Sequence, residues 1–133
     1  MDVAELQAFL DAAFPADLPY IVEEISDTGV RMRLCVDESN VRPGGTVSGP
    51  SLMALADCAA WLAIVGQIGP VALAVTTSLH IDFLRKPALV DVVAVATLLK
   101  LGARLGVVDV ALRSVADDAL VAKAQVTYSI PPT

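Results

Sequence analysis

Between Arg42 and Asp82 lie 39 residues, and only Asp57 among them carries a formal charge at neutral pH. A run this long and this poor in charge is expected inside a fold rather than on its surface, so the remaining residues must wrap it. Within it, Leu52 to Ile64 is almost wholly apolar and rich in Ala and Leu, which predicts a buried helix. Ser48 supplies a cap for that helix and Pro50 a first-turn proline. The apolar stretch from Leu52 to Val75 raises the question of a membrane span. Asp57 and the breaks at Gly66, Gly69 and Pro70 are expected to leave a helix too short to cross a bilayer, so no membrane partner is anticipated.

The wrapping material reads mostly as strands. The helical spacing of Leu6, Phe9, Leu10 and Ala13 predicts a short packing helix over Val3 to Phe14, closed by Pro15. Tyr20 to Ile25 and Val30 to Val36, joined by Asp27-Thr28-Gly29, read as a β-hairpin. A turn-rich stretch from Asp37 to Ser48 follows, and after Gly69-Pro70 come strand patterns over 71–84, 89–101, 104–116 and 119–130 with short turns between them. In the last of these, Leu120, Ala122, Ala124, Val126, Tyr128 and Ile130 face the core, and Val121, Lys123, Gln125, Thr127 and Ser129 face outward. With 56% apolar residues but only six of Phe, Tyr or Trp, the core must be built from small and β-branched side chains. The expected fold is α+β, a single domain over 1–133: one long helix against an antiparallel sheet of about six strands, plus the short N-terminal helix.

Charge and cysteine usage narrow the function classes. A net charge of −6 argues against nucleic acid as a partner. Two cysteines, Cys35 and Cys58, and one histidine, His80, are too few for a disulfide framework or a zinc ligand set, so no metal and no cofactor is expected. The acidic residues near Met1 do not resemble a secretory leader, and a cytoplasmic location is the expectation. Ser48 and Ser51 lack a local His–Asp partnership for a nucleophilic triad.

Two features carry chemistry. A carboxylate in mid-helix, flanked by Leu55, Ala56, Cys58 and Trp61, lies far from either helix end and needs partners or a use. The glycine-rich run Gly44-Gly45-Thr46-Val47-Ser48-Gly49-Pro50 enters the same helix, where free backbone N–H groups can polarise a carbonyl. Eight residues separate Gly49 from Asp57, roughly 12 Å along one helix axis, so the two cannot converge on one bond within a chain. Two such helices packed antiparallel about a two-fold axis would bring Asp57 of one copy near Gly49 of the other and give two composite sites. Trp61 and Met53, one turn either side of Asp57, read first as helix packing, with a pocket wall as a second use open to both. His80 reads as a surface or interface residue on the face shared with Thr76, Ser78 and Asp82.

The stretch from Gly45 to Asp57 resembles the His-Gly-Gly motif and following catalytic helix of the hotdog-fold thioesterases, in particular the phenylacetyl-CoA thioesterase-like group. Ala74 to Pro87 is similar to that family's next strand and turn, and Leu99 to Leu105 to its following hairpin. The likeness spans about residues 20–131 and implies a hotdog fold, a homodimer assembled further into a homotetramer, and hydrolysis of a small or medium, or aryl, acyl-CoA. By position it implies Asp57 as general base or nucleophile, the Gly49 amide on the thioester carbonyl, and Thr76 near the attacking water. It also implies substrate contacts from Arg42, Ser48, Asn40, Arg85, Lys100, Gly102 and Arg104, the basic residues meeting the CoA phosphates. Ser48 replaces the motif histidine, Pro50 its second glycine, and Arg42 the loop asparagine, with Asn40 two residues away. Arg42 could grip substrate or pair with Asp57. A hotdog protein that binds acyl-CoA without turnover, or serves as a structural partner, is the alternative this altered loop leaves open.

Overall fold

The computed structural model describes residues 1–14, 17–70 and 73–132. Asp2 opens α1 (Val3–Ala13) through a capping box with Glu5, which satisfies two otherwise unpaired N–H groups. Leu6 and Leu10 are fully buried, one helical turn apart, and anchor α1 to the rest of the molecule. The expected helix end at Pro15 lies outside the described residues.

The hairpin is present as β1 (Tyr20–Ser26) and β2 (Gly29–Leu34). The turn-rich stretch contains more order than its composition suggests. A 3-10 turn at Glu38–Asn40 leads into a two-residue ladder, β3 (Val41–Arg42) with β4 (Thr46–Val47). Gly44 and Gly45 reverse the chain there at φ 103° and 76°, where a side chain would be strained.

Then comes α2 (Gly49–Ile68), which runs on past the apolar core that ends at Ile64. Ser48 caps it and Pro50 sits in its first turn as expected. The expected break at Gly66 does not occur. Glycine costs about 1 kcal/mol relative to alanine inside a helix, but here its bare Cα admits the Ile25 side chain, which would lie 2.7 Å from an added Cβ. The helix ends instead at Gly69, φ 93°, whose N–H bonds the Val65 carbonyl. At 20 residues α2 is therefore long and apolar enough by length and composition to span a bilayer, which corrects the length argument made from sequence. Its apolar surface is instead largely covered by the sheet: ten of its residues are buried, from Leu52 to Val65.

Four long strands complete the chain: β5 (Val75–Phe83), β6 (Val92–Leu101), β7 (Leu105–Ser114) and β8 (Leu120–Ser129). Residues 71 and 72, assigned to the first of these patterns, lie outside the described residues. The six long strands form one antiparallel sheet in the order β1-β2-β6-β7-β8-β5, so the hairpin pairs across the helix with β6 and β5 returns to the far edge. The structure is thus the expected hotdog arrangement, a sheet wrapped around a central helix, with α1 packed beside β1 and α2.

The alternation read for β8 holds, with Ala122, Ala124, Val126, Tyr128 and Ile130 buried. Val121 is the exception, 2% exposed although assigned to the outer side, because the chain at Leu84 and Arg85 crosses it and donates two backbone hydrogen bonds to its carbonyl.

On the outer side of the sheet Glu23 accepts from Arg31 Nε (2.9 Å) and Arg33 Nε (2.8 Å), while Arg33 also reaches Asp91 (3.1 Å). The hydrogen bond from Arg33 is the leading cause that holds the Glu23 carboxyl below the usual glutamate range. A depressed folded value means that this stabilisation is fully present above the unfolded value and is lost as pH falls through the folded one. Glu23→Gln is accordingly expected to cost about 1 kcal/mol at pH 7 and less at pH 3, read from urea unfolding at the two pH values.

Candidate active site

Asp57 lies half-buried in the middle of α2, on the side that faces the beginning of β5 and the end of β8. Its Oδ1 accepts two short hydrogen bonds, from Thr76 Oγ1 (2.7 Å) and from the Tyr128 hydroxyl (2.7 Å), which also lies 3.0 Å from the Asp57 carbonyl oxygen. The two hydroxyls come from a directly opposed pair of residues on adjacent strands. A carboxylate in an apolar segment is thus met by two neutral donors, the kind of partner that lets an ionised group remain in a half-buried place.

The register of β5 makes this possible. A bulge between Thr76 and Ser78 sets Thr76 opposite Tyr128, on the helix side, and Ser78 opposite Thr127, on the outer side. His80 pairs with Gln125 and Asp82 with Lys123, so both belong to the outer side too. This corrects the expectation that Thr76 shares a face with Ser78, His80 and Asp82. His80 is exposed, 3.0 Å from Asp82, and is not part of the Asp57 site.

Asp57 opens onto a cavity of about 570 Å³ between α1, α2 and the ends of β1, β5 and β8. Ala54, Asp57, Cys58 and Trp61, spaced along one helical face, form one wall, and Phe14, Leu18 and Tyr20 face them. Trp61 has both of the uses its position allowed: Phe9 and Phe14 pack on its ring at centroid distances of 5.3 and 5.9 Å, and it lines the cavity. Met53 is exposed and does not line it. Burial, helped by the charge of Asp57, pushes the Cys58 thiol up to about 12. Burial likewise pushes the Tyr20 phenol up to about 12, and the Tyr128 phenol far above its ordinary value. All three therefore stay protonated at neutral pH.

Gly49 lies elsewhere. It lines a second cavity of about 390 Å³ with Arg42, Thr46, Leu52, Phe83, Arg85 and Lys86. As the first helical residue its N–H has no intrahelical acceptor. Within one chain, then, Asp57 with Thr76 and Gly49 with Arg42 and Arg85 form two separate groups. Among the described residues Arg42 makes no ion pair with Asp57.

The remaining predicted residues fall in two places. Asn40 and Ser48 belong to the cap of α2: Asn40 Nδ2 donates to Ser51 Oγ (3.0 Å), its carbonyl accepts from Ser48 N (2.7 Å), and the Ser48 and Ser51 hydroxyls are 2.8 Å apart. Asn40 is 7% exposed and its side-chain oxygen accepts from Asp37 N, so its amide is occupied in holding the loop that delivers Gly49. Lys100, Gly102 and Arg104 sit around the β6–β7 turn and line neither cavity. Gly102 N donates to Leu105 O, and Arg104 Nε donates to the Ile130 carbonyl (3.1 Å).

Sequence reasoning missed Tyr128, Tyr20 and Phe14. Tyr128 was visible only as one of a row of core-facing residues in β8, yet a tyrosine on a buried face needs a hydroxyl partner, and the isolated Asp57 needs a donor.

Comparison with known proteins agrees with this architecture. The sequence profile of the thioesterase superfamily matches residues 44–120. A crystal structure from Silicibacter sp. TM1040, of a protein provisionally named a thioesterase, is 43% identical, with 99% of this chain and 93% of that one covered at a TM-score of 0.91. A conserved protein of Pseudomonas aeruginosa is 28% identical over 86% of this chain and 90% of its own, at a TM-score of 0.76. Zebrafish thioesterase superfamily member 2 has the same fold at 20% identity, covering 98% and 99% of the two chains with a TM-score of 0.87. A search of curated proteins gave no match. With the superfamily profile covering more than half of the sequence, and a 43% identical relative aligned along nearly all of it, the chain belongs to the thioesterase superfamily.

Proposed function

We propose that this thioester hydrolase acts on acyl-CoA, as a homodimer in which Asp57 of one copy and Gly49 of the other face the same thioester. The observation that carries the reading is the isolated carboxylate of Asp57, held by Thr76 and Tyr128 at the edge of an apolar cavity. Water attacks the thioester carbonyl and gives its proton to Oδ2 of Asp57; the C–S bond then breaks as that proton passes on to the sulfur, releasing acid and CoA thiol and restoring the carboxylate. Direct attack by Oδ2, which breaks the C–S bond and expels CoA as thiolate, followed by hydrolysis of the resulting anhydride, uses the same oxygen. The Gly49 amide stabilises the oxyanion that develops in either route. Neither route calls on a metal or a resident cofactor.

A second copy is required because Gly49 and Asp57 lie eight residues apart on one helix, roughly 12 Å along its axis. The free edge of β5 supports pairing: Val75 and Phe83 are half exposed there, beside the partly buried Leu79 and Ile81. A pair of dimers would make the tetramer implied by the resemblance. In this arrangement the apolar cavity beside Asp57 takes the acyl group, small to medium or aryl in size, and Arg42 and Arg85 beside Gly49 meet the polar end of the CoA. Lys100 and Arg104, with Gly102 at the turn, would meet CoA phosphates from a neighbouring copy, and Ser48 would act through the cap that delivers Gly49.

The test is free-thiol release from a panel of aryl and short- to long-chain acyl-CoAs, with CoA binding measured alongside. Release from some members of the panel supports the reading and names the acyl class. Saturable CoA binding without release from any member overturns it in favour of a silent acyl-CoA binder.

A further inference from the structure

The Tyr128 hydroxyl has one proton and two acceptors within reach, Asp57 Oδ1 at 2.7 Å and the Asp57 carbonyl at 3.0 Å. The shorter contact is to the charged oxygen, at the length of a charge-assisted bond. Thr76 donates to that same oxygen, and among the described residues no donor reaches Oδ2. Two donors on one oxygen leave the carboxylate with a single free edge. They also fix its plane against rotation, because one comes from β5 and the other from β8 across a paired register.

We propose that Tyr128 is a positioning residue, its hydroxyl acting with Thr76 to hold Asp57 by Oδ1 so that Oδ2 alone meets the reacting water or thioester. The role rests on the thioesterase reading for its use, but the contact itself can be tested without turnover. The titratable groups that face Asp57 are Cys58 on its own helix, Tyr20 from β1 and Tyr128 from β8; β5 contributes the neutral Thr76, and α1 the neutral Ala13 and Phe14. Tyr20 and Cys58 stay neutral across the working range, so a change in the acidic limb on altering Tyr128 reports on the contact itself.

In Tyr128→Phe the charged carboxylate loses a donor. The acidic limb of the kcat/KM profile is expected to move up by about one pH unit, with kcat down about tenfold and KM within a factor of about two. Position-specific 3-fluorotyrosine at 128, a stronger donor of unchanged shape, is expected to move the limb the other way. The carbon-13 resonance of the Asp57 carboxyl carbon, read at neutral pH, should shift in both variants, and this readout needs no activity. An unmoved limb, or an unmoved carboxyl resonance in folded protein, would overturn the positioning role. Absence of thiol release from every thioester, with the resonance shifts intact, would instead overturn the thioesterase reading and leave the clamp on Asp57 standing.

Discussion

Asp57→Asn is expected to lower thiol release by about 10³-fold, with CoA binding and the folded dimer retained. The amide keeps the size of the carboxylate, and its oxygen can still accept from Thr76 and Tyr128, so the two contacts that hold the side chain survive. What is lost is the ability of the second oxygen to take a proton or attack a carbonyl. Stability should change little, since the site is half-buried and both hydroxyls keep an acceptor. The measurement is a thiol-release assay with thermal unfolding run on the same preparation. Loss of activity with an unchanged unfolding midpoint is the expected pattern, and retained turnover would remove Asp57 from the chemistry.

Gly49→Pro is expected to lower kcat by about 300-fold, the usual cost of removing one oxyanion donor. Proline deletes the N–H without adding a bulky group, and the first helical position tolerates its ring. Beyond its chain neighbours, an added Cβ would meet the edge of the Phe83 ring at 3.5 Å, ordinary contact distance. The cap made by Ser48 and Ser51 uses neither atom of the Gly49 amide, so the start of α2 should persist. Steady-state kinetics separate the effects: a fall in kcat at near-constant KM marks a donor used in the transition state, whereas a rise in KM alone would mark a substrate contact.

The sequence made some of this legible for physical reasons and hid the rest for others. Asp57 stood out because an otherwise uncharged run of 39 residues made a lone charge conspicuous, and the same run announced the central helix. The spacing of Gly49 and Asp57 translates into distance without a structure, because a helix has a fixed rise. The bulge in β5 was hidden. Val75-Thr76-Thr77-Ser78 contains nothing that distinguishes a regular pleat from one with an extra residue, and a one-residue shift exchanges the faces of every side chain beyond it. That is why regular alternation puts His80 on one face with Thr76, although the two point to opposite sides. Pairing of β5 with β8 and of β2 with β6 is non-local, and so was the meeting of Tyr128 with Asp57, 71 residues apart. Gly66 misled in the other direction, since its local cost is offset by a tertiary approach of Ile25 that no local pattern encodes. Asn40 lies two residues from the position where the resemblance puts a loop asparagine, and its amide is taken up by the loop it supports.

The central claim is that each site takes Asp57 from one chain and Gly49 from its partner, and the most direct test is to mix the two inactive variants. Asp57→Asn and Gly49→Pro chains, unfolded and refolded together in equal amounts, form hybrids in half of the dimers. Each hybrid then holds one site with both native residues, so thiol release should return to about a quarter of the native rate from two preparations that are each nearly inactive. A mixture no more active than its parts, with hybrids demonstrated by mass, would contradict the shared site.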